Sequence, residues 1–189
     1  MDEIVLRSMA KWPDVPAVYG WLALDRRGSF RIKTASGRFE RIANAALVEF
    51  IGRNYAADAQ GRWYFQNGPQ RVYVALDYTP WVYRLDDAGE EFVAHTGAAP
   101  GELRAAFLDD AGALLVRTGL GIGVVLDRDL PRIVGSSGDA VESVQRGAAA
   151  ELRLCGRPVP AAAIPAAEVA KRFGFVCRPA PSAGEPECR

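Results

Sequence analysis

Histidine occurs once in this chain, at His95, and lysine only at Lys11, Lys33 and Lys171. Catalysis that runs on an imidazole base therefore has a single candidate, and a zinc centre has too few nitrogen ligands. Cysteine is nearly as rare. Cys155, Cys177 and Cys188 are odd in number and widely spaced, a pattern of reduced thiols rather than a disulfide framework. The 23 basic residues are balanced by 23 acidic ones, so the basic surplus of a nucleic-acid binder is missing. No run approaches the ~18 uninterrupted apolar residues of a membrane helix. The opening MDEIVLRSMAKWPDVP is acidic from its second residue and lacks the apolar core of an export signal. These absences lead us to expect a cytoplasmic protein with no metal or other cofactor, bound neither to nucleic acid nor to membrane.

What is present is the profile of an ordinary globular protein, 49% hydrophobic and 24% charged. Its 189 residues suffice for one sizeable domain or two small subdomains. Arginine supplies nearly all the basic residues and alanine is abundant, the codon signature of a GC-rich bacterial genome.

Four short stretches share one device, Asp-x-x-Gly, at 25–28, 58–61, 86–89 and 109–112. Aspartate at the first position of a type I turn bonds back to the backbone, and glycine takes the positive φ at the end. Each device separates apolar-alternating segments, so each predicts a hairpin, and four hairpins predict a strand-rich protein with mostly antiparallel pairing. One main helix is expected, over about 45–54, with a short helical piece within 135–150 and helical turns around Val169 and Phe173. Along the main helix Leu47, Phe50, Ile51 and Tyr55 form a stripe and Asn44 is a natural N-cap.

The stretch GRWYFQNGPQRVYV, from Gly61 to Val74, alternates with period two on both sides of Asn67-Gly68-Pro69. It reads as a strand pair with Trp63, Phe65, Val72 and Val74 on the core face. Arg62, Tyr64, Arg71 and Tyr73 fall on the opposite face. Tyrosine and arginine are the residues enriched at binding hot spots, so these four are the candidate binding residues. The competing reading covers that face and leaves two cross-strand aromatic pairs.

No nucleophile elbow, phosphate-binding loop or zinc helix occurs. Gly119, Gly121 and Gly123 are spaced two apart and precede β-branched residues, which suits a strand face closely approached by another backbone rather than a dinucleotide loop. Asp109/Asp110 sit in a turn. Asp127 and Asp129 are flanked by arginines, the setting of a solvated ion-pair cluster. An enzyme built on this chain would need His95 together with Asp127 or Asp129 in one cleft.

The succession WPDV, RIANAALVEFI, DAQGRWYFQNGPQRVYVALDYTPWVYRL and TGLGIGVVLDRDLPRIV resembles a proteobacterial domain-of-unknown-function family. The likeness runs from Trp12 to about Val134. Trp81 stands where that family carries Phe after its proline, and the segment beyond Val134 has no counterpart. The resemblance implies two α+β subdomains with a repeated strand and helix motif, a signalling or ligand-sensing role, and no assigned enzymatic activity or functional residues.

The expected architecture is therefore α+β, mostly antiparallel, with one main helix. An N-terminal subdomain spans 1–79, a β-rich second one spans 80–178, and a Pro-rich flexible tail spans 179–189. The expected function is non-enzymatic: binding of a small molecule or a partner protein, compatible with a homodimer.

Overall fold

The computed structural model describes residues 1–135 and 137–182, and the backbone of Glu187–Cys188. In chain order the elements are α1 (Glu3–Lys11), β1 (Ala17–Leu24), β2 (Phe30–Lys33), β3 (Phe39–Arg41), α2 (Ala45–Arg53), β4 (Tyr55–Ala57), β5 (Trp63–Asn67), β6 (Gln70–Leu76), β7 (Trp81–Leu85), β8 (Phe92–Ala94), β9 (Ala105–Asp109), β10 (Leu114–Arg117), β11 (Ile122–Val125), α3 (Leu130–Val134), α4 (Gly138–Gln145), β12 (Ala150–Leu154), β13 (Arg157–Ile164), α5 (Ala166–Phe173) and β14 (Glu187–Cys188). A single 3-10 turn, Asp127–Asp129, precedes α3.

Two compact units result. One is Met1–Tyr78 together with Gly174–Arg189, and the other is Thr79–Phe173. The C-terminal residues thus belong with the first unit, whereas the sequence reading left 174–178 in the second.

The α+β class is as expected, but each unit holds a mixed sheet; of the five α-helices among the described residues, α2 is the expected main one, α4 and α5 occupy the expected short helical pieces, and α1 and α3 are additional. The first sheet runs β3-β2-β1-β6-β5-β4, with β14 beside the start of β1. β1 and β6 pair in parallel, as do β1 and β14. The second sheet runs β12-β13-β9-β10-β11-β7-β8, with parallel pairs β7–β11 and β9–β13. A parallel neighbour must be reached by a long crossover, so no turn signal marks it.

All four Asp-x-x-Gly stretches turn hairpins, β1–β2, β4–β5, β7–β8 and β9–β10. In each, the glycine N–H donates to the aspartate carbonyl at 3.0 Å, and the glycine φ lies between 75° and 82°. The aspartate Oδ1 accepts backbone N–H groups beyond it, from Arg62 at 2.9 Å in the second turn and from Ala113 at 2.7 Å in the fourth.

α2 forms where its cap predicts: Asn44 Oδ1 accepts the Leu47 N–H at 3.0 Å. Ile51 is fully buried, and Phe50, half-buried, sets its ring edge against Phe65. Leu47 departs from the expected stripe. It remains 39% exposed, because a nine-residue helix covers little of a six-strand path and its first turn overhangs the sheet.

α1 was not expected. Only Val5 of its residues is buried, so its apolar stripe is too thin to announce a helix. It is tethered at its start, where Asn54 Oδ1 accepts the Asp2 N–H at 2.8 Å. In the second unit the three middle strands β9, β10 and β11 carry consecutive buried residues, the mark of strands covered on both faces. Phe173 at the end of α5 meets Phe107 edge-on.

Of the expected flexible tail, 179–189, residues 183–186 and 189 lie outside those described. Just before it, Cys177 O accepts the Leu76 N–H at 2.8 Å, and within it Glu187–Cys188 lie alongside Ala17 and Val18.

Candidate functional site

The strand pair β5–β6 has the register that the alternation requires. Phe65 faces Val72, Tyr64 faces Tyr73, and Gln66 faces Arg71. Trp63, Phe65, Val72 and Val74 therefore share the α2 side, while Arg62, Tyr64, Arg71 and Tyr73 share the reverse side. The four residues singled out from the sequence do come together.

Their surroundings differ from an open platform. Tyr73 is 1% exposed and Tyr64 7%. Tyr19 of β1 stacks on Tyr73, and Ala17 and Ala56 complete a small apolar cluster on this face. The two arginines lie on the tyrosine rings, Arg62 over Tyr73 and Arg71 over Tyr64, each with its guanidinium carbon 4.7 Å from the ring centre.

Arg62 is locked. Its Nε donates to Asp58 Oδ2 at 2.7 Å, with the two side chains only 11% and 6% exposed. Its Nη2 donates to the Tyr73 hydroxyl, which in turn donates to Asp58 Oδ2, both at 3.0 Å. Its Nη1 reaches Ala180 O and Ser182 Oγ in the C-terminal segment at 3.3 Å. Burial alone would raise the Asp58 carboxyl, but hydrogen bonds from the Arg62 side chain and backbone and from Tyr73 outweigh it and hold the carboxyl below its ordinary value. Burial, then the bond and charge of Asp58, raise the Tyr73 phenol, against the opposing influence of Arg62 and Arg71. Gly61 lets the C-terminal segment pass: a Cβ there would strike the Gly174 carbonyl, and the Gly61 O accepts the Val176 N–H at 2.9 Å.

Arg71 is placed differently. Together with Gln66 and Tyr73 it lines a cleft of about 490 Å³ on the reverse face, within the range of small-molecule sites. The segment that leaves α1 forms the opposite wall, with Trp12, Pro13, Asp14 and Val15. Trp12 is 57% exposed. Gln66 is fully buried, and its Nε2 donates to Gly68 O at 2.9 Å. Its Oε1 has no hydrogen-bond partner among the described residues. An unmet buried acceptor costs about 1–3 kcal/mol.

The sequence reading missed Gln66, Asp58 and the Trp12–Asp14 wall. Gln66 was legible in principle, since it follows Tyr64 by two residues and so shares its face. Asp58 reads from the sequence only as a turn residue. Nothing local connects Trp12 to the strand pair.

The residues of the enzymatic alternative do not converge. His95 Nδ1 accepts the Val82 N–H at 3.3 Å, at one end of β7. Asp129 Oδ2 accepts the Leu85 N–H at 2.9 Å, at the other end, roughly 10 Å further along a strand. Asp127 is exposed and its Oδ1 accepts the Arg128 N–H. Burial lowers the His95 imidazole from 6.5 to about 3, far from the range of an effective base at neutral pH. Asp109 is buried and bonds within its own turn, and Asp110 accepts the Ala166 N–H at the start of α5. The glycines of TGLGIG stand in and beside β11. At Gly119 the expected backbone approach is present, with Pro100 O 3.1 Å from where a Cβ would stand, whereas the close neighbours at Gly121 and Gly123 are side-chain atoms of Trp81 and Tyr83.

Among the described residues no group of three or more His, Cys, Asp or Glu side chains is arranged to hold a metal ion. No helix among them is long and apolar enough to cross a membrane.

Fold and site thus describe an α+β protein of two sheet-based units, with a polar-aromatic cleft on the first. The DUF2944 family model, described as "Protein of unknown function (DUF2946)", matches residues 1–180, and the chain belongs to this family. No curated protein matches the sequence. Among solved structures the chain is similar to a DUF1285 family protein from Silicibacter pomeroyi DSS-3, with a TM-score of 0.47 and 15% identity over 80% of this chain and 85% of that one.

Proposed function

We propose that this protein is a non-enzymatic, cytoplasmic sensing module that binds a small molecule in the cleft between the Trp12–Val15 segment and the Gln66–Arg71–Tyr73 face. The single observation that carries this reading is the pairing of an orphaned buried acceptor, Gln66 Oε1, with a half-buried arginine in one cleft. Buried polar groups are nearly always satisfied, and one left unmet beside a cavity marks a place where something else supplies the bond. The cleft walls combine apolar side chains with Asp14, Gln66, Arg71 and Tyr73, and convergent polar groups in an apolar setting are what fix a small molecule's orientation. Arg62 and Tyr64 support the site from behind, the first by fixing Tyr73 and the second by carrying Arg71 on its ring.

The test is an NMR titration of the isotope-labelled full chain with mixtures of common polar metabolites. Shifts clustered on the Trp12 indole, the Gln66 side-chain amide and the Arg71 Nε support the reading. A panel that shifts only resonances of Thr79–Phe173, or none, overturns it.

A further inference from the structure

Resting on the cleft assignment above, we infer that its ligand is a small zwitterion of the α-amino-acid kind with an apolar side chain. The two charged residues that line the cleft are Arg71 and Asp14, one of each sign. A lining that sums to zero disfavours a phosphate or other dianion, which would face one guanidinium and one carboxylate at once. It suits a molecule that carries both charges itself.

Each end has its recognition group. Arg71 lies with its guanidinium carbon 4.7 Å from the Tyr64 ring centre, a stacking that holds the guanidinium plane; part of the fork bonds the Tyr73 hydroxyl, and a carboxylate would take the remaining N–H donors. A planar fork with parallel N–H donors matches a carboxylate in two bonds. The ammonium end needs acceptors. Gln66 Oε1 has no partner among the described residues and Asp14 stands on the opposite wall. Tyr73 cannot serve as that acceptor, because its hydroxyl is engaged by Arg62 and Asp58. Between the ends the walls are Met9, Val15, Ala17, Pro69 and the exposed Trp12, an apolar and aromatic lining for a side chain of the same character.

Binding therefore orders three contacts at once. The carboxylate meets Arg71, the ammonium reaches Gln66 and Asp14, and the side chain covers Trp12. Gln66 is shielded from solvent, so the ammonium must displace the side chains above it slightly to reach Oε1. This selects a compact donor over a bulky one.

The experiment compares four probes against the full chain by isothermal titration and by the same NMR shifts: L-phenylalanine, L-phenyllactate, 3-phenylpropionate and L-phenylalaninamide. L-Phenylalanine is expected to bind tightest. Loss of the ammonium in 3-phenylpropionate should weaken binding roughly tenfold, and loss of the carboxylate in the amide by roughly 10–100-fold, as for bonds to charged groups. L-Phenyllactate, which keeps a neutral donor, should fall between the first two. Arg71→Met should erase the difference between acid and amide while Gln66→Met leaves it intact. Gln66→Met should narrow the gap between L-phenylalanine and 3-phenylpropionate. The inference is overturned if the amide or 3-phenylpropionate binds as tightly as L-phenylalanine, if either discrimination is as large in its variant as in the parent, or if none of the four binds. Binding of the amide as tightly as L-phenylalanine, with shifts still confined to the cleft, would sink the amino-acid assignment while sparing the cleft. Shifts elsewhere would sink both.

Discussion

Tyr73 lies flat against Tyr19, with ring centroids 4.4 Å apart and planes only 11° from parallel. The two tyrosines are 54 residues apart in the chain and come from strands that pair in parallel. Their stack covers part of the reverse face of the first sheet, and the buried Asp58–Arg62 pair is bonded to the Tyr73 hydroxyl beside it.

Breaking that pair should be costly. Removing one partner of a buried ion pair leaves the other charge unmet and costs roughly 3–5 kcal/mol. Asp58→Ala is expected to fall in this range by urea unfolding. A loss below about 1 kcal/mol would show that the pair is solvated.

The same carboxylate sets an acid limb. Its folded-state value lies below the ordinary one, so the ionised form stabilises the fold. That contribution is fully present above the unfolded value of about 3.9 and is lost as pH falls through the folded value. Asp58→Asn should start less stable at pH 7 and lose less between pH 4 and lower values than the parent. Parallel pH profiles for the two proteins would contradict this.

His95 behaves in the opposite chemical sense. Its imidazole is neutral in the folded protein because burial lowers its value from 6.5 to about 3. The unfolded chain takes up the proton first, so stability falls as pH drops below about 6.5, by up to about 1.4 kcal/mol per pH unit. The checking measurement is the imidazole chemical shift of the folded protein, expected to stay at its neutral value at pH 5. An ordinary titration near 6.5 would show an open ring.

Ile51 and Leu47 are one helical turn apart and should differ sharply. Ile51→Ala empties a buried site and should cost about 2–5 kcal/mol. Leu47→Ala alters a residue 39% exposed and should cost much less. Equal losses by denaturant unfolding would place Leu47 in the core.

Gly123 has no room for a side chain. A Cβ there would press into the Tyr83 ring, with Trp81 Cβ at 2.8 Å. Tyr83 is fully buried and cannot swing away freely. Gly123→Ala is expected to lower the melting temperature by several degrees, as a strained core substitution does. An unchanged melting temperature would mean that Tyr83 repacks.

Local chemistry was sufficient for what is local. The four Asp-x-x-Gly turns, the Asn44 cap and the alternation across Asn67-Gly68-Pro69 were all legible, because each depends on φ preferences and hydrogen bonds within a few residues. The register that gathers Arg62, Tyr64, Arg71 and Tyr73 on one face follows from the same arithmetic. What the chain order left open was partner choice. β1 finds β6, and β9 finds β13, across long crossovers whose energies come from burial on both strand faces and leave no turn to read. The cleft is of that second kind. Trp12 and Asp14 meet Gln66 and Arg71 only because the segment after α1 runs along the reverse of the sheet. Whether a tyrosine on that face is a platform or a core residue was decided by Tyr19, a distant strand's side chain that removes it from water.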